Sequence, residues 1–195
     1  MLKRLLIFFV VHLLVITLVI NTYSEASESP WDVRPMSNGQ TILVLKTGNV
    51  TYGDTLMLVL NNYNDKCDQI QETFNFYTTT KNTEVKEIEG KNIPIKFNEH
   101  ELYAKASYVL PFLLGHRVMF SMGTYQVNEY LDYMSKYETY NVTIVDENLP
   151  SRVMQPHLIK NFNASDYFDV LNNSWDLKGV KEAIGKAQKL CLKYK

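Results

Sequence analysis

Cysteine is scarce in this chain, with two in 195 residues. So few sulfurs exclude sites built from Cys-x-x-Cys pairs, and no Cys/His cluster at ligand spacing takes their place. No metal site is expected. Glycine (8) and proline (6) are also sparse, and no glycine-rich stretch is fit to cradle a phosphate. No cofactor is expected either. A dominant charge is missing: 20 Lys and Arg stand against 21 Asp and Glu, a formal net charge of −1. A balance so near zero leaves no electrostatic footprint for nucleic acid, which is excluded as a partner. The Gly-x-Ser-x-Gly elbow is absent too. Ser121 sits in Phe120-Ser121-Met122-Gly123, which would not expose a nucleophile.

Long apolar runs are confined to one place. Lys3 and Arg4 precede the unbroken stretch Leu5–Ile20, and small polar residues follow, with Ser24-Glu25-Ala26 as a cleavage site. A basic start, an apolar middle and a small-residue end address a chain to the secretory pathway. The run falls short of the roughly 20 residues a membrane-spanning helix needs. A cleaved signal peptide over residues 1–26 is therefore expected, with an uncleaved N-terminal anchor at residues 5–20 as the alternative. Residues 27–30 read as a flexible lead-in, and residues 31–195 as a single β-rich extracytoplasmic domain. Cleavage would remove two cations and one acid, leaving a net charge of −2. A membrane is met only through the N-terminal segment, if that segment is retained.

The remainder favours β-structure, being rich in Thr, Val, Ile and Tyr. Thr41–Thr47 and Thr55–Leu60 read as a hairpin or two sequential strands, and their continuous apolar character predicts cover on both faces. In the next strand, Ile70, Phe74 and Phe76 share a parity. Lys81–Asn92 is polar and predicts a turn or an exposed connection. Pro94 within the alternating Asn92–Phe97 cannot donate to a ladder, which predicts an edge strand. Leu102, Ala104, Ala106, Tyr108 and Leu110 alternate as one strand face. Arg117–Met122 and Tyr140–Val145 read as further strands; Tyr125–Tyr137 fits both helical and strand spacing, with a short helix the preferred reading. Leu149–Val170 predicts a loop and one strand. Tyr167–Leu177 predicts a strand leading into the last element.

That last element is the clearest. Val180, Ala183, Ile184, Ala187, Leu190 and Cys191 fall on one helical face, with lysines and Glu182 opposite. The fold class expected is α+β: a mainly antiparallel sheet, sandwich-like or curved, with a C-terminal amphipathic helix packed on it. Cys67 and Cys191, both on the exported side, are expected to form a disulfide.

The ending Leu177-Lys178-Gly179 followed by a helix closing at Cys191 resembles the close of small periplasmic proteobacterial proteins. Among these are the invasion-associated locus B family and accessory proteins of type VI secretion. Trp31-Asp32-Val33, Leu110-Pro111-Phe112 and Arg117-Val118-Met119-Phe120 also resemble the former. The resemblance covers about a third of the chain. It implies an exported, non-catalytic β-rich domain closed by a helix and a disulfide.

For function, the tyrosines stand out. Tyr125, Tyr130, Tyr133 and Tyr137 crowd one segment and form a candidate interaction surface, because tyrosine pairs large contact area with a polar tip. The expected function is an exported binding or accessory domain of the cell envelope or periplasm, with a protein partner there. Two alternatives stand beside it. One is an exported hydrolase assembled from His100, Glu101 or His116; the other is a binding domain tethered by an uncleaved N-terminal helix. Asn49, Asn141, Asn163 and Asn172 each open an Asn-x-Ser/Thr tripeptide, a glycan acceptor only in a eukaryotic secretory pathway.

Overall fold

The computed structural model describes residues 31–37, 39–51, 53–62, 66–79, 83–146, 157, 159 and 161–193. The signal or anchor at 1–26 and the lead-in at 27–30 lie outside the described residues. Within the compact unit Trp31–Lys195, nine antiparallel strands make one sheet. They are β1 (Asp32–Pro35), β2 (Thr41–Thr47), β3 (Thr55–Asn61), β4 (Gln69–Thr78) and β5 (Asn92–Phe97), then β6 (His100–Phe112), β7 (Gly115–Gln126), β8 (Thr139–Ile144) and β9 (Asn172–Asp176). Their order across the sheet is β1-β2-β3-β4-β7-β6-β5-β8-β9. The sheet curls into a half-barrel. The curl brings β9 back to the turn after β2, where Asn49 N donates to Ser174 O at 2.9 Å. The curved form of the expected α+β class is thus the one adopted.

Alternation decides what faces inward. Ile42 and Val44 of β2, Leu56, Leu58 and Leu60 of β3, and Ile70, Phe74 and Phe76 of β4 are all buried in one core. Phe74 stacks on Phe120 of β7 at 4.9 Å, and Tyr140 meets Trp175 edge-on at 5.7 Å. Among the described residues two α-helices join the sheet, α1 (Val127–Met134) and α2 (Val180–Lys193). The buried face of α2 carries Val180, Ala183, Ile184, Ala187 and Cys191, as the spacing predicts, and packs on β1, β2 and β3. Cys67, just before β4, is disulfide-bonded to Cys191 across a sequence separation of 124. Among the described residues no helix is long and apolar enough to cross a membrane.

Several expectations need correction. Strands β2 and β3 are not covered on both faces: Leu43, Leu45, Met57 and Val59 are only half-buried, since among the described residues no second layer lies over that face. β5 is not an edge strand but runs between β6 and β8. Pro94 is tolerated because β8 pairs only with Ile95–Phe97. The Pro94 carbonyl, on the side where its missing N–H would point, accepts from Val145 N at 3.1 Å. The alternation of β6 breaks at Ser107, an extra residue opposite β7. That bulge turns Val109 inward and leaves Tyr108 and Leu110 outside. The polar connection after β4 holds a 3-10 turn, Thr83–Ile88, that buries Val85 and Ile88. In the described part of Leu149–Val170 there is a 3-10 turn at Ala164–Asp166 and no strand.

Candidate functional site

β4 carries the residue around which the site is built. Glu72 shares the inward row of Ile70, Phe74 and Phe76, opposite Leu58 of β3 and Gly123 of β7. Only 5% of it is exposed. A carboxyl in such a place must be hydrogen-bonded or neutral. Tyr130, buried on α1, donates its hydroxyl to Glu72 Oε1 at 3.1 Å. The Tyr140 hydroxyl of β8 lies near enough to favour the carboxylate but makes no well-aligned hydrogen bond among the described residues. Burial outweighs both tyrosines and lifts the carboxyl from its ordinary 4.5 to about 7. Burial first, and then the Glu72 charge, hold the Tyr130 and Tyr140 phenols well above 10.

A second bulge opens the space above this carboxyl. Met122 is an extra residue of β7 between the pairs Glu72–Gly123 and Thr73–Ser121. Without it Tyr125 would continue the outward row of Met119 and Ser121; with it, Tyr125 faces inward opposite Ile70. Gly123, at φ +145°, lies directly across from Glu72, and a Cβ there would come within 3.1 Å of Tyr125 Oη. That hydroxyl donates to Met122 O at 3.1 Å, which pins the ring over the bulge. α1 starts at once after β7, its first N–H donating from Val127 to Asp68 O at 2.8 Å. It swings Tyr130 and Tyr133 over the same floor.

The result is a cleft of about 310 Å³. Glu72 and Phe97 lie at its base, and Tyr125, Tyr130 and Tyr133 form its walls with Leu102 and Met122. Glu129 stands exposed at the rim. Ring centroids of Tyr125 and Tyr130 are 5.9 Å apart, and those of Phe97 and Tyr133 6.0 Å. Tyr137, the fourth tyrosine picked from sequence, stays outside the cleft. It packs edge-on against Tyr133 at 5.5 Å and sets its hydroxyl 3.3 Å from His100 Nε2. Burial, followed by Tyr137, raises the Tyr133 phenol above its ordinary value.

The other candidates are dispersed. His100 and Glu101 begin β6 and are exposed, while His116 begins β7 opposite Thr78 and Pro111, at the far end of that hairpin. Asp146 accepts from Ala164 N at 2.8 Å and braces a turn. Among the described residues no group of three or more His, Cys, Asp or Glu could hold a metal ion. A second hollow of about 400 Å³ lies on the outer face, between Met57, Thr73, Lys105, Tyr108 and Met119. The Thr73 hydroxyl beside it is engaged with Met57 O at 3.2 Å. The turn of the β6–β7 hairpin exposes Leu113 and Leu114, 76% and 94% accessible, with Leu113 at φ +52°.

Glu72 is the residue that reading the sequence missed. Its signal was present: it has the parity of Ile70, Phe74 and Phe76, so an inward row contained one acid. No family model matches the chain, and neither does any curated protein or solved structure.

Proposed function

We propose that the chain is an exported, non-catalytic binding domain, an accessory of the cell envelope, that receives part of its ligand or protein partner in the tyrosine cleft over Glu72. One observation carries this reading: a ring-lined cleft is open to solvent, while His100 and His116 sit at opposite ends of a hairpin. Concave, mostly apolar sites with a few fixed polar groups are where ligands bind. Export is supported by the leader features of residues 1–26 and by the Cys67–Cys191 bridge, since disulfides persist in oxidising compartments outside the cytoplasm. The resemblance of the Leu177–Cys191 ending to small periplasmic proteins points the same way. Retention of residues 5–20 would make it a tethered binding domain, and the mass of the mature chain separates the two forms.

Methyl NMR tests the site. Met122 lines the cleft, whereas Met57 and Met119 line the outer hollow. Fragments or envelope extracts that shift the Met122 methyl and spare Met57 and Met119 support the cleft. Shifts confined to Met57 and Met119 would move the binding site to the outer face and end this reading.

The Glu72 carboxyl, at about 7, favours a second reading: an acid–base enzyme in which Glu72 exchanges a proton with a bound substrate. Any ligand found by the methyl screen decides it. Turnover that Glu72→Gln abolishes supports an enzyme, and recovery of unchanged ligand removes that reading.

A further inference from the structure

We infer that the cleft takes a compact organic cation, an alkylammonium or quaternary ammonium group, seated over Glu72 and caged by Tyr125, Tyr130 and Tyr133. This rests on the binding reading above and gives it a ligand class. The lining holds two carboxyls, Glu72 at the base and Glu129 at the rim, together with four aromatic rings. Among the described residues it holds no Lys, Arg or His. Aromatic faces are electron-rich, so several rings around one point attract a cation, and the attraction grows where water is excluded. An anion would meet Glu72 with no cation among the described lining residues to offset it. A neutral ligand would leave the carboxyl without a counter-charge whenever it ionises. One ring of the set already draws an ammonium from outside: Lys136 Nζ stands 5.8 Å from the Tyr133 centroid.

The buried carboxyl makes the binding pH-dependent. The titratable groups facing Glu72 are the phenols of Tyr125 on β7, Tyr130 and Tyr133 on α1 and Tyr140 on β8, with Glu129 at the rim. β5 and β6 contribute only Phe97 and Leu102. The four phenols are raised above 10 and stay protonated in the neutral range. A cation binds the ionised Glu72 and displaces its proton. Affinity therefore rises about tenfold per pH unit below the Glu72 value and levels off above it.

The test titrates the full chain, at pH 6 to 9 as working conditions, with choline, tetramethylammonium and methylammonium. The control is 3,3-dimethylbutanol, the neutral isostere of choline. Binding is read from the Met122 methyl and the tyrosine ring signals. At least one cation is expected to bind about tenfold or more tightly than the isostere, with the stated rise through neutral pH. Glu72→Gln, which still accepts the Tyr130 hydroxyl, should erase the pH dependence and cut that preference to the part the rings supply. Tyr133→Leu, at a half-exposed position, should weaken the cation several-fold and spare the isostere. An isostere that binds as well as the cations overturns the cation assignment and leaves the binding cleft standing. Failure of every cation also overturns the assignment, and the Met122 screen then decides the cleft itself.

Discussion

Asn173 Nδ2 lies 2.7 Å from Asp54 Oδ2, a buried hydrogen bond between the last strand and the head of β3. Asp54 Oδ1 accepts from Tyr77 N at 2.6 Å, and Asn173 Oδ1 accepts from Val50 N at 3.0 Å. These two side chains thus satisfy backbone groups at the seam where the curled sheet meets itself. Gly48 permits the approach, since a Cβ there would come 2.6 Å from Asn173 Nδ2. Asn173→Ala would leave Asp54 Oδ2 and Val50 N without the partners they have here, while Asp54 Oδ1 keeps Tyr77 N. Chemical denaturation should show a loss on the order of 2–4 kcal/mol. Gly48→Ala should also destabilise, by steric conflict with Asn173. Wild-type stability in both variants would mean that the seam does not hold the sheet closed.

Stability should fall as pH rises through the acid range. Burial raises Asp54 from 3.8 to about 6, against hydrogen bonds from Tyr77 and Asn173 and the Arg117 charge. Glu72 goes from 4.5 to about 7. Between the unfolded and folded values the unfolded chain has released the proton and the folded chain still holds it. The slope of stability against pH is therefore negative there. The contribution is fully present below about pH 4 and is lost as pH climbs to about 7. For Glu72 the loss is on the order of 3 kcal/mol. Denaturation series from pH 4 to 8 should find Glu72→Gln more stable than wild type at neutral pH, and flatter with pH.

Tyr130→Phe removes the hydroxyl that the carboxyl accepts while keeping the ring in place. That hydrogen bond favours the charged form. The Glu72 value should therefore move upward from about 7, and side-chain carboxyl NMR titration measures it. A downward shift would contradict the assigned contact.

Breaking Cys67–Cys191 opens a loop with a sequence separation of 124. The chain-entropy account puts this at about 4–5 kcal/mol. The Cys67→Ser, Cys191→Ser variant should lose much of that in denaturation, and reductant should lower the wild-type Tm without altering the variant. Helix α2 should loosen most, since Gln188 Nε2 also reaches back to Cys67 O at 3.3 Å.

Legibility followed the physics of periodicity. The inward row of β4 and the buried face of α2 were readable because burial repeats at fixed spacing, and the cysteine bridge because both cysteines lie beyond an export leader; α1 was not separable, since its residues line up at strand spacing as well as at helical spacing. The bulges were not readable. In β6, Tyr108 and Leu110 are as apolar as Val109, so an extra residue at Ser107 leaves no trace in the pattern. Met122 likewise hides the switch that turns Tyr125 inward. The tyrosine cluster was visible as composition, but which three rings converge depends on that switch and on the angle of α1. Pro94 misled because its missing donor marks an unpaired stretch, which an interior strand can have beyond the end of a short neighbour.

The wiring of the sheet has a consequence for how the chain comes into being. Its joints connect residues far apart in sequence: Trp31 Nε1 donates to Lys178 O at 2.9 Å, and Asn173 reaches back to Asp54. Such non-local topologies fold slowly, since each closure must first overcome the entropy of a long loop. Until β9 and α2 have been made, neither the Asn173–Asp54 bond nor the Trp31–Lys178 bond can form, and the curl has nothing to fasten it.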